Sequence, residues 1–263
     1  MENLVIIDNY LELKNDRVFT VKNPGCYIIS VISNKGGAGK TSIAMTAGLC
    51  FAKELYKKTL LLEIDSSPGD FGAVFDIEPE KSFDLALRFP ERFGYYVKNI
   101  FKNLDVMKGV SDPLVAERIK ETDVHKLFKF LTSEYECIII DTQTVINGTL
   151  LDVLRLSDVI LLVSEHSLES FSRISNLFCI LTKKFTISKD KIKVIINKKQ
   201  LFKHFKIWDF SKIADFPIEA FISYDSRYDK SLFVFNKNKI FKTRLYKQLS
   251  KILSKLDGNH FLS

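Results

Sequence analysis

The sequence predicts an α/β fold, a mostly parallel twisted sheet with helices on both faces. Short runs rich in β-branched residues alternate with stretches of helical periodicity, which is the order found in such sheets. Four of the runs are almost continuously apolar, as expected for strands that are covered on both sides. The first run passes directly into a glycine-rich turn and an apolar helix, so the sheet is expected to carry a phosphate-binding loop.

Six apolar runs are predicted as strands, and they span 27–33, 59–65, 104–110, 136–141, 158–164 and 191–197. Four further stretches are predicted as helices, and they span 40–56, 122–133, 167–184 and 240–256. No repeat and no Pro- or Ser-rich linker divides the chain, so we expect one domain over residues 25–263, preceded by a short extension, residues 1–24. In an open parallel sheet, ligands bind beyond the carboxyl ends of the strands, so the functional residues should follow these runs.

The charge of the chain is unevenly distributed. The formal net charge is +7, but residues 181–263 carry 19 Lys and Arg against 7 Asp and Glu. A basic region of this kind favours acidic partners, namely an anionic membrane surface or DNA bound without sequence preference. A lysine-rich solvated surface would have the same composition, so both interpretations stay open.

The N-terminus, the cysteines and the histidines exclude several classes of protein. The first residues carry acids within an apolar run, unlike a signal peptide, and no apolar run approaches the roughly 20 residues that span a bilayer. The four cysteines lie far apart with no CxxC pair, and the four histidines show no ligand spacing, which argues against a metal centre with nitrogen or sulfur ligands. We expect a soluble cytoplasmic protein, peripheral at the inner face of the membrane if the basic region binds lipid.

The stretch NKGGAGKTS, residues 34–42, has the chemistry of a phosphate-binding loop. Its glycines let backbone N–H groups converge on phosphate oxygens, and the helix that begins near Lys40 adds the positive end of its dipole. Lys40 would bridge the β- and γ-phosphates, and the Thr41 hydroxyl would ligate Mg²⁺. The predicted nucleotide-binding residues of this loop are Lys35, Gly36, Gly37, Ala38, Gly39, Lys40, Thr41 and Ser42.

Acidic residues stand at the ends of two predicted strands. Asp65 ends TLLLEID, and Glu63, two residues earlier, lies on the same side of that strand. Asp141 ends YECIIID, a pattern typical of the aspartate that holds Mg²⁺ through water in P-loop proteins. We predict Thr41, Glu63 and Asp141 as the metal site. A turn or helix-capping role is the alternative for each acid.

The chain resembles the ParA/MinD superfamily of P-loop ATPases, whose deviant Walker A motif K-G-G-x-G-K-[ST] matches Lys35 to Thr41. The resemblance implies the P-loop NTPase fold of the SIMIBI, MinD-like class, ATP or ADP with Mg²⁺ as cofactors, and a homodimer formed with ATP. It also implies that Lys35 reaches the nucleotide of the partner subunit, in the manner of an arginine finger. Lys35 would then couple ATP binding to dimerisation.

Three further positions take their expected roles from the same resemblance. Asp65 matches the switch I aspartate that orients the attacking water, so Lys35, Lys40 and Asp65 are the predicted catalytic residues. Glu63 stands where the superfamily usually has an aspartate near Mg²⁺. Asn197, at the end of VIIN, matches the asparagine that reads the adenine and completes the predicted nucleotide-binding set.

Within the superfamily, the stretches SSPGDFGAVFDIEP and LDVMKGVSDP are most similar to CpaE/TadZ proteins. This implies a slowly hydrolysing ATPase that acts as a positioning and assembly switch for pilus or secretion machinery, with a protein cargo as partner. Two alternatives remain. One is a MinD/FlhG-like regulator that cycles on and off the membrane through the basic amphipathic helix 240–256, and the other is a ParA-like DNA partition ATPase. A metabolic enzyme of the same fold is disfavoured by Lys35, which such relatives generally lack.

Overall fold

The computed structural model describes residues 23–64, 69–110, 119–199, 214–228 and 235–261, with side chains up to residue 255. Most of the predicted N-terminal extension, residues 1–22, lies outside this range, as does the predicted catalytic residue Asp65.

The described residues form one twisted, eight-stranded sheet. The strands are Tyr27–Ile32 (β1), Thr59–Ile64 (β2), Lys98–Phe101 (β3), Leu104–Met107 (β4), Cys137–Thr142 (β5), Val159–Glu165 (β6), Ile192–Lys199 (β7) and Ile218–Ser223 (β8). Their spatial order is β3-β4-β2-β5-β1-β6-β7-β8. Neighbouring strands are parallel except β3 and β4, which are antiparallel. The predicted fold class is thereby confirmed.

Helices follow the strands on both sides of the sheet. They are Lys40–Lys53 (α1), Phe71–Val74 (α2), Phe83–Arg88 (α3), Glu121–Glu134 (α4), Gly148–Leu156 (α5), Leu168–Cys179 (α6), Lys237–Ile240 (α7) and Arg244–Phe261 (α8). Short 3₁₀ helices span Pro90–Tyr96 and Lys189–Lys191. The predicted helix 167–184 is α-helical only to Cys179 and continues as a π-turn, Ile180–Lys184.

The predicted helix 240–256 starts later in the structure. Its first residue, Ile240, ends the short helix α7, and α8 starts only at Arg244. The Thr243 hydroxyl accepts a hydrogen bond of 3.2 Å from the Tyr246 backbone N–H, so Thr243 caps the first turn of α8. The predicted helix is therefore confirmed from Arg244 onward, and residues 241–243 form the turn between α7 and α8.

The two faces of the sheet pack against different helices. Ile29 and Ile139 point into a core shared with α1 and α8. Their chain neighbours Ile28 and Ile138 point to the opposite face, into a core shared with α3 and α4, and α5 and α6 cover that face beside them. Because both faces are covered, the central strands are mostly apolar, and the ligand site is left to the carboxyl edge of the sheet.

The C-terminal helix α8 is part of the core. Leu245, Leu249 and Leu253 are buried together with α1, whereas Lys247 and Lys251 on the other side of the helix are exposed. The apolar stripe seen in the sequence therefore packs inward over these residues. Across the described part of the chain, no helix is both long and apolar enough to cross a bilayer.

Candidate nucleotide site

The glycine-rich loop joins β1 to α1 at the carboxyl edge of the sheet. Gly37 and Gly39 have φ angles of 77° and 95°, in the left-handed region that favours glycine. The Ser33 hydroxyl donates a hydrogen bond of 2.9 Å to the Lys35 carbonyl and holds the start of the turn. Gly39 precedes α1 without a capping side chain, and the first turn holds no acid. The first turn of α1 is thus suited to binding an anion.

Asn197 lies directly beneath the loop. Its side-chain amide, 5% exposed, donates a hydrogen bond of 2.9 Å to the Ala38 carbonyl. A Cβ atom added at Gly39 would lie 2.3 Å from Asn197 Nδ2, so this approach requires glycine. The structure thus places Asn197 at the predicted site as a support of the loop, and its contact with adenine stays a prediction.

Asp141 and Thr41 form the predicted metal side of the site. Asp141 is the penultimate residue of β5, lies in register with Glu63 of β2 and is 4% exposed. Burial raises the pKa of Asp141 to about 7, and the neighbouring Glu63 raises it too, while a hydrogen bond from Thr41 and the charge of Lys40 act in the opposite direction. Among the described residues, the buried Oδ1 of Asp141 has no hydrogen-bond partner.

An orphaned carboxylate oxygen beside a threonine hydroxyl fits a hydrated cation. Within the described ranges, no three His, Cys, Asp or Glu side chains cluster so as to hold a metal by themselves. A metal here would therefore need phosphate oxygens and water in addition to Thr41 and Asp141. That is the ligand set that Mg²⁺ adopts with nucleotides.

Glu63 lies at this edge but is bound to backbone amides. Its Oε1 accepts a hydrogen bond of 3.2 Å from Phe71 N–H, and its Oε2 accepts one of 2.8 Å from Gly109 N–H. A Cβ atom at Gly69 would lie 2.1 Å from the Glu63 carboxyl carbon. Burial raises the pKa of Glu63, and the backbone hydrogen bonds oppose that rise. Glu63 thus links β2 to the first residue of α2 and to the segment that follows β4, and its role as a metal ligand stays a prediction.

Lys35 lies at the rim of the loop and pairs with a residue that the sequence did not single out. Its ammonium is 3.2 Å from Glu165 Oε2, at the end of β6, and Lys198 pairs with the same carboxylate at 3.1 Å. Glu165 follows a buried apolar strand just as Asp65 and Asp141 do, so the strand-end pattern could have found it. Nothing in the sequence marks Lys198.

Tyr228 joins the segment after β8 to α1. Its hydroxyl donates a hydrogen bond of 2.8 Å to the Ser42 carbonyl and lies 2.8 Å from Thr46 Oγ1. Because Ser42 follows the predicted metal ligand Thr41, this contact fixes the first turn of α1 next to the predicted site. The sequence carries no signal for this role.

Comparison with known proteins places this geometry in a family. A protein-family model described as an AAA domain matches residues 26–196, about two thirds of the chain. The chain is 23% identical over 161 residues to the flagellum site-determining protein YlxH of Helicobacter pylori, covering 60% of the chain and 54% of that protein. It is 26% identical over 175 residues to the septum site-determining protein MinD of Thermotoga maritima, covering 65% and 64%. The chain thus spans between half and two thirds of the length of these curated relatives.

Solved structures share the fold across nearly their whole length. A putative plasmid partition protein of Borrelia burgdorferi bound to AMPPNP superimposes with a TM-score of 0.71 at 20% identity, covering 88% of this chain and 99% of that one. MinD of Pyrococcus horikoshii complexed with Mg-ADP superimposes with a TM-score of 0.73 at 17% identity, covering 89% and 98%. Both of those proteins hold a nucleotide.

Proposed function

The chain belongs to the AAA-domain family matched over residues 26–196 and to the ParA/MinD superfamily of P-loop ATPases, and from this premise we propose that it is an ATP-operated switch. In this proposal, two copies dimerise around ATP and Mg²⁺, the dimer recruits a protein cargo, and slow hydrolysis returns the subunits to monomers. The protein would in this way position or assemble a larger apparatus.

The observation that carries the proposal is the placement of two lysines in one loop. Lys40 begins α1, where its ammonium and the helix N-terminus supply positive charge for a triphosphate. Lys35 lies beside the exposed Gly36 and Gly37, and 36% of its side chain is exposed. A cation at an exposed rim can reach a phosphate held by a second copy, where it would stabilise the charge that develops during transfer.

The remaining site residues are assigned within the same proposal. Thr41 and Asp141 would hold Mg²⁺, which neutralises charge on the β- and γ-phosphate oxygens when bound. Asp65 is proposed to orient the attacking water. Asn197, beneath the loop, is proposed to read the adenine with its carboxamide, and Glu63 is proposed to approach the metal through water.

For the cargo, we propose pilus or secretion machinery of the CpaE/TadZ type, on the strength of residues 66–79 and 104–113. A MinD/FlhG-like regulator is the second candidate, because relatives named for placing the flagellum and the septum match the chain. Its contact with lipid would have to use the lysines of α8, since Leu245, Leu249 and Leu253 pack inward. The same exposed lysines support the third candidate, a ParA-like partition ATPase that binds DNA without sequence preference.

The test of the switch is the solution mass of the protein with ADP and with ATP·Mg²⁺. Wild type should double its mass with ATP·Mg²⁺, and Lys35→Ala should stay monomeric while still binding ATP. Lys129→Ala, which removes an exposed lysine on α4, is the matched control and should dimerise like wild type. If wild type has the same solution mass with ADP and with ATP·Mg²⁺, the proposal is contradicted.

Two further variants separate binding from turnover. Lys40→Ala should abolish binding of ATP, because it removes the cation at the phosphates, and unchanged affinity would refute the assignment of the loop. Asp65→Ala should keep the ATP-dependent dimer and stop hydrolysis.

Co-sedimentation with anionic vesicles and with duplex DNA, at low and high salt, then distinguishes the second and third candidates from a switch that binds only proteins.

A further inference from the structure

Glu165, the last residue of β6, lies between two lysines. The Lys35 ammonium is 3.2 Å from Oε2, and the Lys198 ammonium is 3.1 Å from Oε1. Each lysine therefore has its own oxygen of the carboxylate. The Glu165 side chain is only 24% exposed, so its charge is partly removed from water.

Lys198 is anchored independently of Lys35. Its φ angle is 54°, a left-handed conformation that is unfavourable for a residue with a long side chain and persists where the surroundings hold it. Here the Lys198 ammonium donates a hydrogen bond to the Gly37 carbonyl of the loop as well as to Glu165. The preceding Asn197 donates to Ala38, so the end of β7 is fixed to the loop at two successive residues.

The charges around Glu165 are unequal, since two ammonium groups share one carboxylate. Burial raises the pKa of Glu165, but hydrogen bonds from Lys198 and Lys35 outweigh it and leave the pKa below its ordinary value. The carboxylate therefore carries its charge at neutral pH. With Lys198 in place, Glu165 keeps a cation when Lys35 leaves. Without Lys198, the departure of Lys35 would leave a partly buried carboxylate unpaired, which is unfavourable.

We propose that Glu165 and Lys198 are positioning residues for Lys35. Glu165 holds the Lys35 ammonium within its own subunit, and Lys198 keeps the carboxylate paired when Lys35 moves to the nucleotide of a second subunit. Lys198 thereby weakens the hold on Lys35, and Glu165 sets the threshold for ATP-dependent dimerisation. This inference rests on the proposed function, because it requires Lys35 to act across the dimer.

The symmetry of a dimer multiplies the expected effect. An ion pair of this exposure changes an equilibrium constant by up to about five-fold. A two-fold dimer releases two Lys35 ammonium groups, so the contributions of both subunits multiply. We expect Glu165→Gln to tighten the dimer by about 2- to 25-fold, and Lys198→Met to weaken it by a similar factor.

The experiment measures the dimer dissociation constant by sedimentation with AMPPNP·Mg²⁺ for wild type, Glu165→Gln, Lys198→Met and the double variant. Lys199→Met, which removes the next lysine along β7, is the matched control and should equal wild type. The double variant should match Glu165→Gln within about two-fold, because Lys198 acts on Lys35 only through Glu165. Lys198→Arg keeps the charge and should restore wild-type dimerisation. Binding of a fluorescent ADP analogue confirms that each variant is folded.

Two results would overturn the inference, and they differ in what they leave standing. If wild type dimerises but Glu165→Gln does not tighten the dimer, only this inference fails. The same holds if adding Lys198→Met to Glu165→Gln weakens the dimer as much as Lys198→Met weakens the wild-type dimer. The second lysine at Glu165 is then a support of the loop and nothing more. If wild type binds AMPPNP and stays monomeric, the proposed function fails and the inference fails with it.

Discussion

Replacing Asp141 with Asn should make the nucleotide-free protein more stable at pH 8 than wild type. Asp141 is almost fully buried beside Glu63, and burial raises its pKa from 3.8 to about 7. Between these values the unfolded chain has released the proton while the folded chain keeps it. The stability of wild type therefore falls as the pH rises through this window, and the loss is complete above about pH 7.

The size of the effect follows from the shift. About three pKa units correspond to about 4 kcal/mol at roughly 1.4 kcal/mol per unit, and part of that loss has already occurred at pH 5. Asn has the same shape and carries no charge, so it escapes this loss. The advantage of Asp141→Asn over wild type should therefore grow by about 2–3 kcal/mol between pH 5 and pH 8.

The assay is urea unfolding of the nucleotide-free protein, without Mg²⁺, at four pH values from 5 to 8. Asp190→Asn, an exposed aspartate of the 3₁₀ turn before β7, is the matched control and should track wild type at every pH. A difference between Asp141→Asn and wild type that stays constant with pH would refute the reasoning. It would mean that Asp141 is already ionised in the folded protein without a bound cation.

Three other predictions concern packing around the site and the last helix. Gly39→Ala should lose binding of fluorescent ADP, because the φ angle of Gly39 is 95° and the new Cβ would overlap Asn197. The control Gly94→Ala, whose Cβ would lie in open space, should bind the analogue normally. Equal binding by both variants would contradict the loop geometry. Gly69→Ala should cost about 1–3 kcal/mol in urea unfolding by displacing Glu63 from its amides, and an unchanged midpoint would argue that Glu63 is not held there. Leu249→Ala should cost about 2–5 kcal/mol and Lys251→Ala less than about 0.5 kcal/mol, so similar values for both would disprove inward packing of α8.

The central sheet could be predicted from the sequence because its strands are buried on both faces. Most of the runs in this part of the sheet are nearly continuously apolar, and the structure places β1, β2, β5, β6 and β7 within one or two residues of the predicted bounds. The edge strands β3 and β8 were missed because they are partly exposed, and β3 has only four residues, so they leave only a weak apolar pattern. The fold was thus predictable where burial is complete and unpredictable at the edges.

The site divides in a similar way. The loop and Asp141 could be located because each follows its strand in the sequence, and parallel strands bring their ends together. Lys198 and Tyr228 could not, since their partners Gly37 and Ser42 are 161 and 186 positions away. Contacts of that range depend on the order of strands in space, which the residues of a single sequence do not specify. Glu63 lies at the carboxyl edge of the sheet, but its amide partners were not foreseen and its role as a metal ligand stays a prediction.

The end of β7 holds the glycine-rich loop in place, and this has a consequence for the folding of the chain during its synthesis. The Ala38 carbonyl is bound by Asn197 and the Gly37 carbonyl by Lys198, so the finished loop contains bonds that close chain segments of 159 and 161 residues. Such closures form late in folding, because local contacts are made first. A growing chain on the ribosome would carry the complete glycine motif long before it could bind a nucleotide tightly. Nucleotide capture would then report that synthesis has passed β7 and that the sheet has closed around it.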